Sequence, residues 1–313
     1  MNKNLVLNII LIFILLILFK TQLLRSQMEK DKHIVKVCAI QMNAVKFDKE
    51  ANFKKADSLL RESARKGADI ACLPECALTG YPRIFRKKLK SEEEYQKELK
   101  KIISIAETIP GQYSEKFANL AKELGIYIIT GYEELIDNKI YNTCILLSPN
   151  GEIVGKYSKM HLQDWMIDSG INHGNEVKSF DISIRDIKLK IGIIICFDIQ
   201  VPETARMAMI EGTDILFVPY CANDFSDEIH RWLFRIRALE NQFYLLRVHY
   251  ASPFCNGDSM LIDPKGNVIF GGQTKEGALI GEVDLDFLKE VRETFKIYGP
   301  TYRRPNVYSK IAK

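Results

Sequence analysis

Three side chains have the types and settings needed for nucleophilic chemistry. Glu75 follows Leu73-Pro74 at the end of an apolar run, where the proline ends ladder pairing, turns the chain and holds the carboxylate at a sheet edge. A carboxylate among apolar neighbours is a competent proton carrier. Cys196 closes the apolar run Ile193-Ile194-Ile195, and Pro202-Glu203 opens a helix shortly afterwards. Amide donors exposed at such a strand-to-helix junction lower a thiol pKa and bind an oxyanion, so the segment resembles a nucleophile turn. Lys159 lies in Lys156-Tyr157-Ser158-Lys159-Met160-His161, where strand alternation places it on one side with Tyr157 and His161. His161 reads as a hydrogen-bonded structural residue. Taken singly, Cys196 fits an inert core thiol and Lys159 a solvated cation; the pairing of Cys196 with Glu75 favours chemistry.

The elements that must carry these residues follow from periodicity. Residues 34–41 read as a strand, and Phe53, Ala56, Leu59, Leu60 and Ala64 recur at helical spacing within 48–66 before Gly67 stops them. Residues 70–73 are a second strand. Helical patterns at 91–107 and 113–124 precede Gly125 and a strand at 126–130. Pro149-Asn150-Gly151 and Asp263-Pro264-Lys265-Gly266-Asn267 are hairpin turns, so antiparallel pairing is mixed in. Residues 191–196 and 215–218 are short, nearly all-apolar strands of the kind covered on both faces. Two sheets faced by helices are expected, in one domain without a Pro/Gly/Ser-rich linker.

Taken in order, LPE at 73–75, KYSKMHL at 156–162 and CFDIQVPETAR at 196–206 resemble the nitrilase superfamily, the carbon-nitrogen hydrolases with a Glu-Lys-Cys triad. KVCAIQMN at 36–43, GTDILFVP at 212–219, RIRALENQFY at 235–244, DPKGNVI at 263–269 and RRPNVY at 303–308 extend the likeness along the chain. The resemblance implies an α/β fold, a four-layer α-β-β-α sandwich, paired into a homodimer or larger assembly and using no cofactor or metal. It implies Glu75 as general base, Lys159 as stabiliser of the tetrahedral intermediate and Cys196 as nucleophile, with the Phe197 backbone N–H completing an oxyanion site. The implied activity is hydrolysis of a small linear amide, with carbamoyl compounds and nitriles as variants of the same chemistry. Acyl transfer through the same thioester and a non-catalytic scaffold of the same fold are the alternatives.

One departure stands out. Many members carry a second glutamate after the lysine motif, and Ile167 occupies the aligned position, leaving Asp168 and Asp164 as the nearest substitute carboxylates. Tyr81, Trp165, Phe197, Tyr220, Asn223 and Phe225 are candidate pocket residues. The basic run Arg83 to Lys90 reads as a solvated loop, with attraction of acidic substrates or anionic lipid as the functional alternative.

Composition bounds the rest. With 313 residues, 47% hydrophobic and 27% charged, the chain can bury a sizeable core and is neither disordered nor fibrous. A net charge of +4 without a basic block interleaved with aromatics disfavours nucleic acid. The seven cysteines, at 38, 72, 76, 144, 196, 221 and 255, read as free thiols, and Cys72 and Cys76 lack a second pair for a metal site. Residues 1–33 read as a hydrophobic anchor or signal segment and linker, 34–290 as the catalytic domain and 291–313 as a tail at a possible oligomer interface. Within the leader, residues 5–19 are almost wholly apolar and no small-x-small cleavage site follows. An uncleaved membrane helix with a cytosolic catalytic domain is therefore expected, with a cleaved signal (secreted) or a start at Met28 (cytoplasmic) as the other readings.

Overall fold

Alternation within the first strand decides the layering. In β1 (Ile34–Gln41), Val35, Val37 and Ala39 belong to a core shared with a second sheet, whereas Cys38 and Ile40 pack with residues of two helices, α2 (Lys49–Arg65) and α4 (Gln112–Leu124). Strand side chains point to opposite faces in turn, so one apolar strand can line two cores at once. The computed structural model describes residues 13–21, 33–222, 227–296 and 300–308.

The first sheet runs β13-β1-β2-β3-β4-β5, with β2 (Ile70–Cys72), β3 (Tyr127–Ile136), β4 (Lys139–Leu147), β5 (Ile153–Ser158) and β13 (Gly277–Asp284); the short β6 (Ile171–Asn172) also pairs with β4. The second runs β12-β11-β10-β9-β8-β7, with β7 (Ser179–Ile184), β8 (Ile187–Ile193), β9 (Ile215–Tyr220), β10 (Tyr244–His249), β11 (Met260–Ile262) and β12 (Val268–Phe270). Parallel pairs β1-β2, β2-β3, β8-β9 and β9-β10 form the centres, and antiparallel pairs complete the flanks, including β13 against β1. Ala205 and Ala208 of α6 (Pro202–Ile210) and Phe234 and Ala238 of α7 (Asp227–Asn241) cover the second sheet. The arrangement is an α/β fold of two sheets with helices outside them, as expected. The turn at 149–151 joins β4 to β5, and that at 263–267 joins β11 to β12. All seven cysteines are free and buried.

The expected membrane-anchored localisation is overturned. Among the described residues of the leader, 13–21 are helical and exposed, and no described helix is long and apolar enough to cross a membrane. Residues 5–12 of the leader lie outside the described residues.

Candidate active site

β2 is short because Pro74 follows it, and the chain turns there with Glu75 fully buried. Leu73 N–H still donates to Ile129 O of β3 at 2.9 Å, and Tyr250 OH donates to the Glu75 carbonyl at 2.7 Å, so the backbone is fixed on both sides of the carboxylate. The following turn needs glycine. Gly80 has φ +76°, and a Cβ there would stand 2.3 Å from Val45 O.

Lys159 follows β5 and is fully buried. Its N–H donates to Asn142 O of β4 at 2.9 Å, and its carbonyl accepts from Gly174 N–H at 2.8 Å. Its ammonium donates to Glu75 Oε1 at 2.6 Å, and Asn142 Nδ2 donates to the same oxygen at 2.8 Å. Burial opposes charge on Lys159, but the charges of Glu75, Cys196 and Asp198 outweigh it and hold the ammonium above its ordinary range. Glu75 Oε2 is buried with no hydrogen-bond partner among the described residues.

Cys196 stands just past β8, at the start of the 3-10 turn Cys196–Gln200, with φ +48°. A left-handed conformation at a non-glycine costs on the order of 1–2 kcal/mol and marks a position that the surroundings enforce. Cys76 (φ 50°) and Tyr81 (φ 54°) are held in the same region. Burial and then the charge of Glu75 push the Cys196 thiol up, with Lys159 opposing. As a first-turn amide, Phe197 N–H has no intrahelical acceptor.

The two segments are joined by Asp198, which is fully buried. Its Oδ2 accepts from Ile195 N–H at 3.0 Å and from Tyr157 OH at 2.7 Å, and its Oδ1 accepts from His161 N–H at 2.8 Å. His161 Nδ1 also lies 2.9 Å from Oδ1, so His161 is the structural, hydrogen-bonded residue expected. Sequence reading missed Asp198 and Asn142; the one available signal was a carboxylate two residues past Cys196, which could have been read as tying down that turn.

Cys196 lines a cavity of about 120 Å³ with Tyr81, Arg83, Phe85, Gln163, Trp165, Phe197, Tyr220 and Cys221 among its walls. Of the expected pocket residues, Tyr81, Trp165, Phe197 and Tyr220 are therefore at the nucleophile; Asn223 and Phe225 lie outside the described residues. The candidate substitute carboxylates are elsewhere. Asp164 and Asp168 line an adjoining outer groove with Arg86, Lys87 and Lys88, which shares the walls Phe85, Gln163 and Trp165 with the cavity but not Cys196; Asp168 Oδ2 accepts from Arg86 N–H at 3.1 Å, and Ile167 is exposed. A one-turn helix, α5 (Asp164–Asp168), turns these side chains outward while placing Trp165 at the cavity. Among the described residues no cluster of His, Cys, Asp or Glu could hold a metal ion.

Comparison with known proteins identifies the family. The sequence model of the family described as Carbon-nitrogen hydrolase matches residues 36–293. An omega-amidase NIT2 of Xenopus tropicalis is 34% identical over 273 residues, covering 83% of this chain and 92% of that one. A nitrilase of Pyrococcus abyssi is 30% identical over 268 residues, covering 83% and 93%. Among solved structures, a carbon-nitrogen hydrolase from Helicobacter pylori superposes with a TM-score of 0.73 at 20% identity, covering 90% of this chain and 99% of that chain. The chain belongs to the carbon-nitrogen hydrolase family of the nitrilase superfamily.

Proposed function

We propose that this protein hydrolyses the carbon–nitrogen bond of a small amide through a thioester on Cys196. The observation that carries this reading is the fully buried Glu75–Lys159 pair, 2.6 Å apart, whose charges both act on Cys196 at the wall of a small cavity. A buried ion pair is weak evidence for stability, since replacing one with well-packed apolar residues is often neutral. A buried pair beside a strained thiol is what a nucleophile needs.

Because burial raises the thiol pKa, Cys196 rests as a thiol and requires a base at the moment of attack. Glu75 takes that proton as sulfur bonds to the amide carbon. The oxygen that gains negative charge is held by the Lys159 ammonium and the Phe197 N–H. Glu75 returns the proton to the departing nitrogen, ammonia or an amine leaves, and a thioester remains. Water then attacks the thioester, Glu75 accepts its proton, and the carboxylic acid and the Cys196 thiol are released. Asn142 fixes Glu75 Oε1 together with Lys159, leaving Oε2 for the proton.

The amidase names of relatives such as the Xenopus protein favour amides over nitriles or carbamoyl compounds. A homodimer belongs to the same proposal. Ile229, Trp232 and Ile236 are exposed along α7, and Met207 and Ile210 are exposed on the neighbouring α6, an apolar face suited to a second copy. Light scattering decides this. For the activity, a panel of short primary amides, carbamoyl compounds and nitriles should show ammonia release for amides, and Cys196→Ala should abolish it. Full turnover by that variant would end the proposal.

A further inference from the structure

Two thiols touch at the wall of the Cys196 cavity, and the reaction just described uses neither. Cys221 follows β9 and lines the cavity, whereas Cys255 lies in the loop after β10 and is not among the cavity's walls. Their sulfurs are 2.9 Å apart, both side chains are buried, and both are free thiols. They meet because β9 and β10 are parallel neighbours, so Tyr220 and His249 stand side by side and both chains leave the sheet at one edge. Each thiol is also tied to the triad through its own backbone. The Cys221 carbonyl accepts from the Cys196 thiol at 3.5 Å and from Tyr81 OH at 3.3 Å. Cys255 N–H donates to Ala251 O at 3.1 Å, next to Tyr250, whose hydroxyl holds the Glu75 carbonyl. A displacement of either sulfur is therefore passed to the nucleophile or to its base.

We propose that Cys221 and Cys255 are a redox-sensitive pair, closed to a disulfide by a small hydroperoxide that enters the Cys196 cavity and opened by a dithiol, and that closure slows reaction at Cys196. The Cys221 sulfur attacks the peroxide's outer oxygen, the O–O bond breaks, and water or an alcohol leaves a sulfenic acid behind. The Cys255 sulfur then attacks the sulfenic sulfur, the S–O bond breaks, and water departs with the Cys255 proton. The two sulfurs together give up two electrons and the peroxide takes them. A dithiol reverses the change by exchange and is itself oxidised. Burial holds the Cys221 thiol well above its ordinary range and Cys255 adds to this, while Arg83, donating from Nη2 to the Cys221 sulfur at 3.4 Å, opposes it. Thiolate is therefore scarce, and closure takes on the order of minutes to hours. A bonded S–S length is about 2.05 Å, so the sulfurs approach by about 0.9 Å and shift the segments that carry the Cys221 carbonyl and Tyr250. The effect on turnover rests on the amide-hydrolase reading above; the cross-link does not.

The test exposes the full chain to hydrogen peroxide, maps its peptides without reduction, and follows two readouts before and after dithiothreitol. One is ammonia release from a primary amide; the other is the rate at which chloroacetamide alkylates Cys196, which needs no amide substrate. A peptide pair joined through Cys221 and Cys255, lighter by two hydrogens, should accumulate. Both rates should fall about 10-fold or more as it does, since a displacement of about 1 Å costs about 100-fold, and dithiothreitol should restore them. Cys255→Ser should keep the starting rates, form no cross-link and show no loss that dithiothreitol reverses. Peroxide that oxidises Cys196 and leaves Cys221 and Cys255 free, a disulfide joining Cys196 to Cys221, or a Cys221–Cys255 cross-link that changes neither rate would overturn the proposal. So would a Cys255→Ser variant inactivated and rescued like the wild type. A cross-link that slows alkylation of Cys196 in a protein that hydrolyses no amide supports the pair and removes only the hydrolase reading. Amide hydrolysis unaffected by peroxide, with no cross-link, does the reverse.

Discussion

The floor and the rim of the active site are built differently. At the floor, Glu75, Lys159 and Asp198 are fully buried, sit at or just beyond strand ends and share hydrogen bonds with Asn142, Tyr157 and His161. At the rim, Arg83, Phe85, Gln163 and Trp165 lie on a loop and a one-turn helix, and each is at least partly exposed. Networks of buried charges tolerate no vacancy, because the group left behind is unpaired in a low dielectric. A rim residue can be exchanged at the expense of what it binds. Chemistry should therefore belong to the floor, and choice of substrate to the rim.

Asp198 tests the floor hardest among the groups that do not touch substrate. It accepts from three donors spread over the Lys159 segment and the Cys196 turn, with His161 Nδ1 also 2.9 Å from Oδ1, so Asp198→Asn replaces an accepting oxygen with a donor. Because displacements of about 1 Å cost about 100-fold in rate, kcat should fall about 10- to 100-fold with little change in KM. A change in KM alone would move Asp198 out of the floor.

A smaller effect sharpens the boundary beneath the floor. Burial pushes Glu133 up to about 7, partly offset by hydrogen bonding with Thr79 and Cys76, and Glu75's charge adds to the rise. Its folded pKa exceeds the unfolded value of about 4.3, so the unfolded chain loses this proton first as pH rises. Stability should then be highest below about pH 4.3 for this group, fall through the window up to about 7, and stay flat above it. Glu133→Gln should remove that slope and raise stability at pH 8 by about 1–3 kcal/mol, measured by urea unfolding from pH 4.5 to 8. An unchanged slope would contradict a protonated Glu133.

How much of this was legible in the sequence divides along the same line. Apolar runs ending in Pro74 or Cys196 announce their own positions, since strand, turn and terminating residue are adjacent in the chain. Helices such as α2 show through their period, and the structure adds an Asp48 cap that accepts from Ala51 N–H. The partners of these residues were not visible. Asn142 meets Glu75 only because β4 pairs with both β3 and β5, and Asp198 reaches Tyr157 across two sheets, relations that no local pattern encodes. The aspartates near 167 misled for a related reason. Proximity in sequence to the lysine motif suggested proximity in space, but a single helical turn directs Asp164 and Asp168 into the outer groove.

The central claim is that Cys196 becomes covalently acylated while Glu75 and Lys159 hold its reacting groups in place. Intact-protein mass spectrometry during turnover of a slow amide, with peptide mapping, tests it directly. The account predicts a transient gain of one acyl group on Cys196, absent in Cys196→Ala. Steady ammonia release with no adduct, or an adduct mapped to another of the buried thiols such as Cys221, would contradict it.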